Sequence, residues 1–291
     1  MPRFPIWQLF AACVLVWGTT WHAITYQVGH TAPDVGVALR FALAGGCVLA
    51  WCVARGTRLR FTAAEHGLLA LQGVFMYGVS YVFVYEAERH LPSGLVAVGY
   101  SASPLLTGLG AQWLFGVAVS GRFVAGGLLG LAGVALMFWP EFGHATRAGT
   151  TGWGVVCTLA AVGLSAVGSL AASRNRTRGL AFWPALGFGM LYGAAAAALV
   201  ALVQGHSFAL PAVPSWWASL LYLAWAGSVL TFACYLTLID RVGPGPSSAI
   251  GVMTPLLALG VSMVFEGFRP DGMTFVGAGM AVLGNVLMLR R

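Results

Sequence analysis

The chain has 291 residues, 59% hydrophobic and 8% charged, with a formal net charge of +7. A soluble domain carries roughly 25% charged residues, so this composition excludes a soluble fold and points to an all-α integral membrane protein. All fifteen basic residues are arginine. That excludes a Walker-type phosphate loop and a lysine Schiff base, and because the arginines sit in short loops beside apolar runs, they report orientation rather than nucleic-acid binding.

A spanning helix needs about 20 apolar residues. Ten stretches qualify: 5–29, 33–54, 66–87, 91–116, 121–139, 150–172, 180–204, 214–239, 244–265 and 272–289. The first follows Arg3, as a signal peptide would, but it carries three tryptophans and part of it recurs later, so it reads as a retained helix. It holds Trp17-Gly18-Thr19-Thr20-Trp21-His22. Trp17 and Trp21 share a face at i, i+4, which suits helix packing and a pocket wall alike. His22 is either a proton site or simply hydrogen-bonded, and the second reading is favoured.

The second helix holds Arg40, the one arginine clearly inside a helix, about 10 Å from its end. Three uses are open: pairing with Glu86, which is favoured, snorkelling outward, or recruiting a substrate carboxylate. In the third helix Tyr77, Tyr81 and Tyr85 form one stripe with Glu88 near its end. Facing lipid would strand their hydroxyls, so they face protein or a cavity. The fourth helix opens on Leu91-Pro92-Ser93-Gly94 and puts Tyr100, Ser103 and Thr107 on one face, with Pro104 at its centre. The sixth offers Ser165 and Ser169, the eighth Trp225, Ser228 and Phe232, and the ninth Thr254 and Pro255. This set is aromatic and hydroxylic and almost uncharged, which suits an amphipathic solute better than a sugar phosphate or an ion.

Much of the pattern repeats at an offset of 151. Ser103-Pro104-Leu105-Leu106 lies over Thr254-Pro255-Leu256-Leu257, Pro33 over Pro184, and Gly121, Gly126 and Gly133 over Gly272, Gly277 and Gly284. At offset 150, Gly18-Thr19 lies over Gly168-Ser169. A proline in an apolar helix removes a hydrogen bond and kinks it. Kinked helices at matching places mark a duplicated transporter, with Pro104 and Pro255 as kink or gating points. Five helices per half is an odd number, so the second half, 146–291, enters from the side opposite the first, 1–145. The expected architecture is ten transmembrane helices as a 5+5 inverted repeat. Gly126-xxx-Gly130 and Gly277-xxx-Ala281 let backbones approach closely, which suits packing of the fifth helix on the tenth, or a homodimer contact.

With the N-terminus inside, Arg3, Arg55, Arg58, Arg60, Arg122, Arg174, Arg176, Arg178, Arg241, Arg290 and Arg291 lie on the inner side. Only Arg89, Arg147 and Arg269 lie outside. The bias puts both termini in the cytoplasm, and Asn175-Arg176-Thr177 then matches a glycosylation sequon by chance. Cys13, Cys47, Cys52, Cys157 and Cys234 fall in apolar runs without a CxxC spacing and read as packing residues. No GxGxxG, GxSxG or HExxH is present, and no cluster has metal-ligand spacing. No catalytic residue, metal or cofactor is therefore expected.

Trp17-Gly18-Thr19-Thr20-Trp21, Pro33 with Leu39-Arg40-Phe41, and the Ser/Thr-Pro-Leu-Leu centres of the fourth and ninth helices resemble the EamA-type repeat of the drug/metabolite transporter superfamily. The resemblance covers nearly the whole chain in two copies. It implies ten helices, a central cavity lined by the first, third, fourth, sixth, eighth and ninth, and alternating access. The aromatic complement looks most like the YddG-type aromatic amino-acid exporters. The family usually ends its fourth and ninth helices with glutamate. Glu266 supplies one, whereas Phe115 and Gly116 occupy the other place, and Leu191 stands opposite Arg40 in the repeat.

The expected function is export of small amphipathic metabolites, amino acids including aromatic ones, across the inner membrane. The binding set is Trp17, Trp21, His22, Tyr77, Tyr81, Tyr100, Ser103, Ser165, Ser169, Trp225, Ser228, Phe232 and Thr254. The partners are that solute and the lipid bilayer, with no nucleic acid, and the protein is a monomer or homodimer. Alternatives are export of other metabolites or drugs by proton exchange, a channel or receptor, and a lipid-modifying membrane enzyme. The carboxylates all lie at helix ends or in loops, which favours facilitated transport and leaves His22 as the mid-helix proton candidate.

Overall fold

In hydrocarbon every backbone N–H and C=O must be satisfied internally, and apolar runs of this length do so as helices. The computed structural model describes residues 4–116, 118–148, 150–242, 247 and 249–289, which form helices and short connections, with no strand among them. The helices are α1 (Ile6–Val28), α2 (Pro33–Ala54), α3 (Ala63–Glu88), α4 (Ser93–Phe115), α5 (Gly121–Ala148), α6 (Thr150–Thr177), α7 (Phe182–Val203), α8 (Pro214–Val242), α9 (Ala249–Phe265) and α10 (Gly272–Leu289). Eight are long and apolar enough to cross a membrane, and the last two contain shorter apolar helices, Ile250–Phe265 and Gly272–Met288. Arg3, Arg290 and Arg291, and the side chains of Glu141, Arg147 and Asp240, lie outside the described residues.

Local chemistry sets the ends. Thr62 caps α3 reciprocally with Glu65: its hydroxyl accepts from the Glu65 N–H at 3.3 Å while the Glu65 carboxylate accepts from the Thr62 N–H at 2.7 Å. Helix α3 therefore starts three residues before the expected 66. Asp271 caps α10, accepting from the Thr274 N–H at 2.7 Å, and that bond holds its carboxyl below the ordinary range.

Three helices are not uniformly α. Val74–Val79 in α3 and Tyr222–Leu230 in α8 are π-helical, and Tyr100–Ala102 in α4 is a 3₁₀ turn just ahead of Pro104. The proline cannot donate to the Tyr100 carbonyl, and the chain tightens there. Pro255 lies inside α9.

Helix α5 packs along α10, and α2 along α7. Helix α1 lies against α8 and α9, α3 against α6 and α7, α4 against α6 and α9, and α2 also against α8. At one face of the bundle the Arg241 guanidinium, at the end of α8, donates to the Phe4 carbonyl ahead of α1 at 2.5 Å. We call it the terminal face, and the opposite one the distal face. Trp7, Leu15, Leu128, Leu199, Leu202 and Val264 are among the large apolar side chains exposed on the surface, as a lipid-facing surface requires.

Candidate substrate site

Aromatic rings from α1, α2, α3, α4 and α8 converge midway along the bundle. The Trp17 indole N–H donates to the Gly227 carbonyl at 3.1 Å, and its ring meets Phe232 and Tyr235, each at 5.4 Å between centroids. Trp21 lies edge-on to Tyr100 at 5.4 Å. Phe41 joins Tyr77 at 5.4 Å and Tyr81 at 4.9 Å, and Tyr77 reaches Phe232 at 6.4 Å. The Tyr100 hydroxyl donates to the Ala161 carbonyl of α6 at 3.3 Å. Such pairs contribute about 0.5–1.5 kcal/mol each beyond area burial.

Above this cluster, toward the distal face, sits Glu266 at the end of α9. Its carboxylate accepts from the Ser93 N–H at 2.9 Å, the Ser262 hydroxyl at 2.8 Å and the Ser93 hydroxyl, and lies 2.9 Å from His22 Nδ1. Helix α4 has no side-chain cap of its own at Pro92. Glu266 supplies one from far away in sequence, placing an anion on a helix N-terminus, where the dipole favours it. It ties α1, α4 and α9 together at that face.

The model of the EamA-like transporter family matches the chain twice, over residues 5–139 and 152–290. The chain belongs to the EamA-like transporter family. It is similar to YedA of Escherichia coli, described as an uncharacterized inner membrane transporter, with 28% identity over 98% of this chain and 90% of that one. It is 26% identical to PecM of Dickeya dadantii over 97% of this chain and 92% of PecM. A probable terminal-alkyne amino-acid exporter of Streptantibioticus cattleyicolor is 25% identical over 98% and 93% of the two chains. A solved crystal structure, 23% identical, shares the fold with a TM-score of 0.67 over 96% of this chain and 94% of that one. The protein is a membrane transporter.

Within this EamA-family bundle, Trp17, Trp21, Tyr77, Tyr81, Tyr100 and Phe232 come together. Ser165 is buried, and Tyr100 faces both it and Ser80. Thr254 is only partly buried, but its hydroxyl oxygen is enclosed and has no partner. Ser103 and Ser169 are half-buried on α4 and α6 and join no described bond to the cluster. Trp225 and Ser228 also stand apart from it. Trp225 is 52% exposed, on an apolar face with Trp217 and Leu221. Ser228 is buried and spends its hydroxyl on the Leu223 carbonyl, five residues back. Both lie in the π-helical stretch of α8, whose wider turn shifts side-chain phase away from the i, i+3 reading.

Two further expectations change. Glu86 does not pair with Arg40: it holds Arg89 at 3.0 Å, His90 at 3.1 Å and the Trp153 indole at 3.3 Å. Nor does a helix-end position mean exposure. Glu88, at the end of α3, is 7% exposed. His22, for its part, is engaged by Glu266. Of the helix-end carboxylates, Glu88 thus reaches the interior and Glu266 is half-buried. The signal for this was available in Glu266, which follows the apolar run of α9 directly, four residues after Ser262.

Proposed function

We propose that the protein exports small amphipathic metabolites, amino acids including aromatic ones, by alternating access through a central cavity walled by the converging rings. The observation that carries this is the meeting of Trp17, Trp21, Tyr77, Tyr81, Tyr100 and Phe232 from four separated helices. The aromatic character favours the YddG-type exporters within the family, and the amino-acid exporter among the relatives points the same way. The relatives' descriptions favour the bacterial inner membrane.

We read residues 1–145 and 146–291 as inverted five-helix repeats. Two features support this. The most extensive helix contacts exchange when each helix is replaced by the one five places along: α1 on α8 and α9 becomes α6 on α3 and α4, and α2 on α8 becomes α7 on α3, whereas α2 on α3 and α5 on α6 have no such counterpart. The π-helical stretches of α3 and α8 also fall at matching positions, Val74 lying over Ala224 at offset 150.

The test is efflux from liposomes preloaded with labelled L-phenylalanine, L-tryptophan or L-leucine, with and without an imposed pH difference. Release beyond empty-liposome controls with no pH difference is the expected result. Strict dependence on the proton gradient selects the proton-exchange alternative, for which the burial of Glu88 and the His22–Glu266 pair provide groups. No release of any amino acid overturns the substrate reading.

A further inference from the structure

Arg40, Tyr85 and Glu88, with Gln27 beside Tyr85, form a polar layer next to the aromatic cluster, and each has buried polar atoms without a hydrogen-bond partner. Arg40 is 2% exposed, Tyr85 and Gln27 are fully buried, and Glu88 is 7% exposed. Nε and Nη1 of Arg40, the Tyr85 hydroxyl, both Glu88 oxygens and both amide atoms of Gln27 have no hydrogen-bond partner. A buried polar group without a partner is costly, and here the Arg40 guanidinium and the Glu88 carboxyl lie within electrostatic range of each other with no hydrogen bond between them.

Neither Arg40 nor Glu88 has a charged hydrogen-bond partner among the described residues. The Arg40 guanidinium rests over the rings of Phe41 at 5.0 Å and Tyr81 at 4.9 Å, so its faces are covered while Nε and Nη1 on its edge have no partner and the Tyr85 hydroxyl lies close by. Nearby anions are spent: Glu266 on Ser93, Ser262 and His22, and Asp34 on His206 at 2.9 Å. Gly227 packs closely beside Nη2: a Cβ there would stand 3.7 Å from it and 2.7 Å from Thr20 Cγ2. Gly36 does the same between Gln27 and Tyr85, each 3.2 Å from the Cβ it lacks.

We infer that Arg40 and Glu88 are the two poles of a zwitterion site: Arg40 takes the carboxylate and Glu88 the ammonium of an α-amino acid, whose side chain lies on the rings of Trp21, Tyr81 and Tyr100. The unpartnered Nη1 and Nε each offer an N–H to a carboxylate as a charge-assisted donor. A phosphate dianion does not suit the site, because one arginine would leave a net negative charge beside Glu88 in a low-dielectric interior. A zwitterion brings an anion to Arg40 and an N–H donor to the Glu88 carboxyl oxygens, which have no donor of their own. The inference deepens the export reading, on which it rests only for the direction of movement.

Purified protein is tested by ligand-induced shift of Tm with L-phenylalanine, L-leucine, 2-phenylethylamine and 3-phenylpropionate. Both amino acids are expected to raise Tm, and neither singly charged analogue to do so at the same concentration. Charge-assisted hydrogen bonds set the scale: Arg40→Gln and Glu88→Gln should each weaken amino-acid binding by about tenfold or more. Glu88→Gln should gain 3-phenylpropionate relative to L-phenylalanine, a switch that misfolding cannot mimic. Equal stabilisation by an amino acid and by either analogue in the wild type overturns the site, as does no binding of any amino acid. Binding of L-leucine without L-phenylalanine keeps the zwitterion site and overturns the aromatic wall. Amino-acid binding without efflux from liposomes keeps the site and overturns export.

Discussion

His22 Nδ1 and Glu266 Oε1 lie 2.9 Å apart although 244 positions separate them in the chain. The contact closes the distal end of the aromatic cluster, because the same carboxylate also holds the start of α4 through Ser93. Removing one end of this network differs from removing its hub. Glu266→Ala strands the Ser93 and Ser262 donors together with His22 and should cost about 3–5 kcal/mol, the range for breaking a buried charged pair. His22→Ala leaves both serines on Glu266 and should cost about 1–2 kcal/mol, one charge-assisted bond. Thermal unfolding in detergent checks the order, and equal Tm losses would show that the serines contribute nothing.

The aromatic cluster and the exposed Trp225 make a matched comparison. Trp21→Ala and Tyr100→Ala each remove a ring contact worth about 0.5–1.5 kcal/mol, so apparent KM for an aromatic substrate should rise by roughly two- to twelvefold. Trp225→Ala removes a larger or equal ring from the outer surface and should leave KM within about twofold of wild type. Initial efflux rates over a substrate series measure all three. A KM effect at Trp225 as large as that at Trp21 would return it to the cavity.

The contrast between Trp21 and Trp225 also shows what the sequence could tell. Helix count, the alternation of faces and the Trp17/Trp21 pair follow from 3.6-residue periodicity, and that periodicity holds in α1. It fails in α8, where a π-helical stretch rephases the side chains and hides Ser228 while exposing Trp225. Nothing in the residues Tyr222–Leu230 announces that change locally. Arg40 was recognisable as an intramembrane charge, but its surroundings were not, because Tyr85 and Glu88 reach it through tertiary packing. Asn175 is similar: its sequon is legible, yet its side chain is buried and donates to Gln72 at 2.8 Å.

Helix α5 meets α10 through glycine faces. A Cβ on Gly133 would stand 2.5 Å from the Gly277 carbonyl oxygen and 2.6 Å from the Ala281 nitrogen. A Cβ on Gly277 would stand 2.5 Å from the Gly133 carbonyl oxygen. Backbone cannot yield as a flexible side chain does, so Gly133→Leu and Gly277→Leu should each force the helices apart and cost about 3 kcal/mol or more. Gly279, in the same helix, has open space around its Cβ position. Gly279→Ala should be neutral or stabilise by up to about 1 kcal/mol through helix propensity. Yield of monodisperse protein and Tm separate these outcomes, and tolerance of leucine at both glycines would show that the close approach is not what holds the two helices together.

Orientation in the membrane gives the last prediction. Eleven arginines fall on one side of the expected topology and three on the other, and short loops rich in arginine stay on the cytoplasmic side. The bond from Arg241 to the Phe4 carbonyl places the end of α8 at the same face as the start of α1. Arg178 and Arg269 are both exposed, one in the connection after α6 and one in the connection before α10. With both termini cytoplasmic, these two positions face opposite compartments. In a background whose native cysteines are replaced, Arg269→Cys should react with a membrane-impermeant maleimide in intact spheroplasts. Arg178→Cys should react only after permeabilisation. The reverse pattern would invert the protein in the membrane, and labelling of both in intact spheroplasts would rule out an odd number of crossings between them.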